Sequence, residues 1–172
     1  MIKSDLTKGE IGDFYWGYIN RIPGDAELIQ TLRNNTKEFS DFLESIPEDK
    51  WAHRYAPEKW SILEMVQHII DTERIFQYRA LCFARNENAA LPGFDHDVYV
   101  LNSDAEIRKP SDLIEEFNSV RDSGIFLFKN LTEQKLKLNG NMNDMNATPR
   151  AIGFIMAGHA LHHKEIISNK YL

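Results

Sequence analysis

Near the end of the chain, Gly158-His159-Ala160-Leu161-His162-His163-Lys164-Glu165 sets two histidines four residues apart. On a helix such residues leave one face a turn apart, so the imidazoles of His159 and His163 can converge on one ion. Both fall where the apolar period of Ile152, Ile155, Met156 and Ile166 calls for core residues. A single core-facing histidine is ordinarily satisfied by a carbonyl or carboxylate, but two need polar partners in a place made for methyl groups. A metal ion satisfies both at once. Two ligands on one helix are half a site, and His68 offers the third nitrogen. Three neutral imidazoles with an open position form a catalytic arrangement, whereas a structural zinc site is closed by a fourth protein ligand. A divalent ion there would activate water or bind a thiol as thiolate, which leaves hydrolysis and thiol transfer both open. Imidazole suits Zn, Cu, Fe and Ni alike, so the residues do not name the metal; Zn²⁺ or Ni²⁺ is the first expectation, with Fe or Mn as further options. The plainer alternative is a bundle with three ordinary core histidines.

The remaining candidates weigh less. His162 falls on the flank of its helix and Glu165 near its end. They are candidates for supporting the ligands from behind, against the blander reading of solvated residues. Glu64, one turn before His68, and Asp71, three residues after it, are candidate bases. Helix capping already explains Glu64, and Asp71 reads equally well as a solvated residue. Glu73 projects into an apolar stripe and must be paired with Arg74, Arg79 or an arginine from another helix. His53 and His96 lie in loops, and Asp95-His96-Asp97 would make a second metal site only in a tightly folded loop. Cys82 is the single cysteine, so an internal disulfide is excluded. No histidine stands at helical spacing to activate it.

Four helices must hold these residues. Asp25, after Pro23-Gly24, is a cap for a first helix in which Leu28, Leu32, Phe39, Leu43 and Ile46 recur, ending before Pro47. Ser61-Ile-Leu-Glu64 has the capping-box pattern and opens a second helix running to about residue 86. His68 lies on the edge of its apolar stripe, in a semi-polar seam with Thr72, Ile75 and Arg79. A connection from Asn86 to Pro110 follows, long enough for a crossover or a lid. Ser111 caps a third helix that ends near Leu131. Residues 132–147 are Asn-rich and read as a turn-forming linker without core signal. Thr148-Pro149 opens the fourth helix, which runs to about Ser168. Its second apolar row, Phe154, Ala157 and Leu161, needs a second cover: a dimer partner, or the aromatic arm of residues 1–22 with Phe14, Tyr15, Trp16 and Tyr18. The fold class is all-α, one four-helix-bundle domain over residues 1–172.

Length and charge narrow the function classes. At 172 residues the chain fits one domain. The net charge of −6, with Lys and Arg scattered, argues against a nucleic-acid surface. No stretch reaches the roughly 20 apolar residues that cross a bilayer, and Met-Ile-Lys-Ser-Asp-Leu-Thr-Lys lacks a signal-peptide core. The expected setting is cytoplasmic, with a small-molecule substrate and no membrane partner.

The stretch Tyr55-Ala-Pro-Glu-Lys-Trp60-Ser-Ile-Leu-Glu64-Met-Val-Gln-His68-Ile-Ile-Asp71-Thr-Glu73-Arg74, with Gly158-His159-Ala-Leu-His162-His163 downstream, resembles the DinB/YfiT-like superfamily. Ile22-Pro-Gly-Asp25, Tyr78-Arg79-Ala80 and Leu91-Pro-Gly-Phe94-Asp95 extend the resemblance over nearly the whole chain. It implies an up-down-down-up bundle with a divalent metal held by the residues matching the family's ligand histidines, here His68, His159 and His163. It also implies frequent homodimers, and activities that include hydrolases and transferases using a low-molecular-weight thiol such as bacillithiol or mycothiol. A metal-binding or stress-response bundle without turnover is the alternative.

Overall fold

The structure, a computed structural model, describes residues 1–87 and 89–172. After a short turn of helix, α1 (Trp16–Ile19), come the first two long helices, α2 (Leu28–Glu44) and α3 (Ile62–Ala84). The lid connection carries α4 (His96–Leu101), and α5 (Pro110–Lys129) follows. Next are α6 (Glu133–Leu136), a hairpin of β1 (Gly140–Met142) and β2 (Met145–Ala147), and α7 (Pro149–Lys170).

Local chemistry sets most of these boundaries. Ser61 accepts a hydrogen bond from the Glu64 amide, and the Glu64 carboxylate accepts one from the Ser61 amide at 2.6 Å, so the capping box forms as expected. Thr148 caps α7 ahead of Pro149 at the first helical position. Two expected caps are corrected. Glu27, not Asp25, caps α2, because the chain stays in a turn through Asp25 and Glu27 receives the Gln30 amide at 2.9 Å. Pro110 itself is the first residue of α5, so Ser111 lies inside the helix and its hydroxyl turns to Asp112.

Cross-helix contacts fix the direction of each long helix. Leu28 lies against Gly153 and Glu38 pairs with Lys164, so α2 and α7 run parallel. His68 meets His159 while Tyr171 donates to the Trp60 carbonyl at 2.6 Å, so α3 is antiparallel to α7. Arg74 meets Glu116 and Gln77 meets Val120, which makes α5 parallel to α3. Asn35 meets Arg121 and Ser40 meets Asn118, which makes α5 antiparallel to α2. The order is therefore up-down-down-up, with α3 and α7 adjacent.

Residues 132–147 are not a bare linker. Asn143 and Asp144 both take positive φ, 51° and 59°, the geometry of a tight hairpin turn, and Met142 and Ala147 are fully buried. Ile11 of the arm bridges Ala147, and Leu91 of the lid bridges Met142. This hairpin thus ties both covering segments to one end of the bundle. The arm also supplies the second cover for α7. Gly158 lies so close to α1 that a Cβ there would stand 2.3 Å from the Tyr18 carbonyl oxygen.

Candidate metal centre

His68 projects from the first half of α3, and His159 and His163 project one turn apart from α7; all three are buried. Antiparallel packing of α3 on α7 brings the rings together. Nε2 of His159 is 3.2 Å from Nε2 of His68 and 3.0 Å from Nε2 of His163. One nitrogen from each ring lies within 4.8 Å of the others. An imidazole nitrogen has a single in-plane position, filled by a proton or a lone pair. Nε2 of His159 can therefore make one good hydrogen bond, yet it faces two nitrogens. A cation resolves this, since it accepts several lone pairs at once. With metal–nitrogen bonds of about 2.0–2.1 Å, nitrogens sharing an ion stand roughly 3.0–3.4 Å apart. The residues present therefore fit a divalent metal. Nδ1 of His163 is buried and has no hydrogen-bond partner among the described residues.

The electrostatics favour the ligating form. Burial lowers the pKa of His68 to about 4, with His96 adding to the effect. Burial, then the neighbouring imidazoles, holds His159 and His163 well below the ordinary histidine value. All three are neutral at pH 7, each with a lone pair to offer.

The rings form one wall of a cavity of about 430 Å³. From α3 it receives His68, Thr72, Phe76 and Arg79, the semi-polar seam of the sequence with one residue exchanged. The arm contributes Phe14, Tyr15 and Tyr18. The Tyr18 ring meets His159 edge-on, with centroids 5.3 Å apart. Gly93, Phe94 and His96 descend from the lid, and Asn143 from the hairpin turn. Trp60, just ahead of α3, lies 4.9 Å from the His68 ring, centroid to centroid.

The other candidates fall elsewhere. Glu64 is occupied by Ser61 and by Arg54 at 2.6 Å, and lies outside the cavity. Asp71 accepts from Gln67 and lines a separate hollow with Arg74 and Tyr99. His162 and Glu165 both turn to Arg21, the first through Nδ1 and the second as an ion pair at 3.1 Å. They make no hydrogen bond to the three converging rings. His53 packs against Tyr171. Asp95 caps α4, so Asp95-His96-Asp97 is a helix start and not a chelating loop. His96 is nevertheless brought to the site, its ring 5.9 Å from that of His68. Arm and lid residues were beyond reach of sequence spacing, because long loops place them.

Helix order and buried triad together define a class. Residues 31–167 match the DinB superfamily, and the chain belongs to it. The chain is 20% identical over 143 residues to a protein of Oceanobacillus iheyensis named "Putative metal-dependent hydrolase", covering 80% of this chain and 79% of that one. YfiT from Bacillus subtilis, described as a probable metal-dependent hydrolase with an unusual four-helix bundle topology, superposes with a TM-score of 0.74. That match covers 82% of each chain at 19% identity, and it speaks to the fold.

No helix among the described residues is long and apolar enough to cross a membrane.

Proposed function

We propose that this protein is a metal-dependent hydrolase in which His68, His159 and His163 hold one divalent ion, Zn²⁺ or Ni²⁺ before Fe or Mn, through their Nε2 atoms. The observation that carries the reading is the convergence of three neutral, buried imidazole nitrogens at the wall of a cavity. The names borne by the similar proteins support it. When bound, such an ion supplies Lewis acidity at its open position. The chain's own side chains do the rest. Tyr18, Trp60 and Phe76 crowd the imidazoles with aromatic surface and keep bulk water from them. His96, half-exposed on the lid and facing His68, is placed to take a proton from the cavity and release it to solvent.

A second reading replaces water with a low-molecular-weight thiol and makes the protein a transferase. What favours it is that no Asp or Glu lines the cavity among the described residues. A coordinating thiol is deprotonated outright beside a divalent cation, whereas bound water keeps a pKa of about 7, so the thiol has the lesser need of a neighbouring base. The test is metal analysis of untagged protein, followed by assays of the loaded form with ester substrates and with a thiol-electrophile pair. Ester turnover that falls at least 100-fold in His163→Ala supports the hydrolase. Turnover only with thiol present supports the transferase, and turnover with neither contradicts both.

A further inference from the structure

We infer that the cavity receives a carboxylate-bearing substrate and that Arg79 binds its anionic group, a reading that rests on this cavity being the substrate site. Arg79 is 3% exposed and lines the same cavity as the imidazoles. Its Nη2 donates to the Pro92 carbonyl at 2.7 Å, and its Nη1 is 3.9 Å from the Met142 sulfur. The Phe94 ring is 6.0 Å from its guanidinium carbon. None of these partners carries a negative charge.

Elsewhere the fold does not leave sheltered arginines so. Arg121 is held by Glu73 and Arg150 by Glu10. The more exposed Arg21, Arg54, Arg74 and Arg108 each have a carboxylate at salt-bridge distance. Arg79 has none among the described residues, and burying an uncompensated charge costs several kcal/mol. Burial accordingly pulls its pKa below the usual arginine value, against an opposing influence from Tyr15. A guanidinium has five donors in a planar fork that matches a carboxylate; here one donor goes to the Pro92 carbonyl, another faces the Met142 sulfur, and Tyr15 stands beside the group, none of them an anion. A bound carboxylate would supply the missing charge.

The spacing sets the shape of the ligand. Arg79 follows His68 by eleven residues on α3, close to three full turns and a rise of roughly 16 Å, so both sit on nearly one face. The substrate is therefore elongated. Its anionic end meets Arg79, its reacting end meets the imidazoles, and its apolar middle lies along Phe76 and Phe94.

Calorimetric binding of 4-phenylbutyrate and its neutral amide to metal-free protein tests this, because without an ion the carboxylate has only the protein to recognise it. The expected result is at least tenfold tighter binding of the carboxylate, weakened by salt. That preference should vanish in Arg79→Met and survive in part in Arg79→Lys, which keeps the charge. Equal binding of the two probes, no carboxylate binding at millimolar concentration, or an undiminished preference in Arg79→Met overturns the inference. The wild-type comparison decides even where Arg79→Met fails to fold. Absence of metal from the purified protein would count against the ion and leave this result untouched.

Discussion

His159 sits at the point where the side chains decide the chemistry, since its Nε2 faces two other nitrogens and only one of them can be satisfied by a proton. The metal-free protein should therefore be sensitive to acid in a defined window. The folded-state pKa of His68 is about 4, below its unfolded value of about 6.5, so between these limits the unfolded chain binds the extra proton. Stability is fully present above pH 6.5 and is lost as pH falls toward 4. His68 alone accounts for ~3 kcal/mol, and His159 and His163 add in the same direction. Urea unfolding of metal-free protein at pH 7.5 and pH 4.5 should show this loss, and His68→Gln should reduce it. Saturating metal at pH 7.5 should raise stability by mass action, by about 2.7 kcal/mol at one hundred times Kd. An unchanged pH dependence in His68→Gln would mean that burial of this ring is not what the fold resists. His159 and His163 were legible in the sequence because i,i+4 spacing and core periodicity are local properties, and His68 through its place in a semi-polar seam and the match to the family's motif. Arg79 was visible there only as part of a semi-polar seam, since the missing carboxylate is a fact of three dimensions.

At the scale of elements, two contacts hold the helices that carry the rings. Arg121 of α5 makes paired hydrogen bonds to Glu73 of α3, at 2.9 and 2.6 Å, and a third to Asn35 of α2 at 2.7 Å, all fully or nearly fully buried. Glu73→Ala strands that guanidinium and should cost ~3–5 kcal/mol in chemical denaturation. Replacing both partners by methionine should cost less than the sum of the single changes. Additive losses would show that the two groups do not act as a pair. The second contact is Gly158 against α1. A methyl group there would displace the Tyr18 backbone, so Gly158→Ala should lower stability by ~1–3 kcal/mol and speed proteolytic cleavage within residues 1–22. Unchanged cleavage would mean that α1 is held by other contacts. The long helices were readable from periodicity and from the Ser61 and Thr148 caps. The hairpin was not, because its strands are three residues each and Asn-rich turns look alike until the chain around them is placed. Its one local sign was Asn143-Asp144 between two methionines, a pair that tolerates positive φ.

For the molecule as a whole, the up-down-down-up order sets α3 beside α7 instead of beside α2, and this is what lets a residue of the first half meet two from the end. The lid between α3 and α5 follows from the same order, because a parallel neighbour needs a crossover as long as the bundle. That crossover brings Phe94 and His96 over the rings, and the hairpin fastens it beside the arm. The second apolar face of α7 is thus covered within the chain. The most direct test of this account is X-ray absorption at the metal edge, with elemental analysis, on untagged protein loaded with Zn²⁺ or Ni²⁺ and freed of excess. The expected result is one ion per chain, with three imidazole nitrogens at about 2.0–2.1 Å, and loss of the ion in His159→Ala. Less than a tenth of an ion per chain, or a spectrum unaltered by His159→Ala, would contradict it.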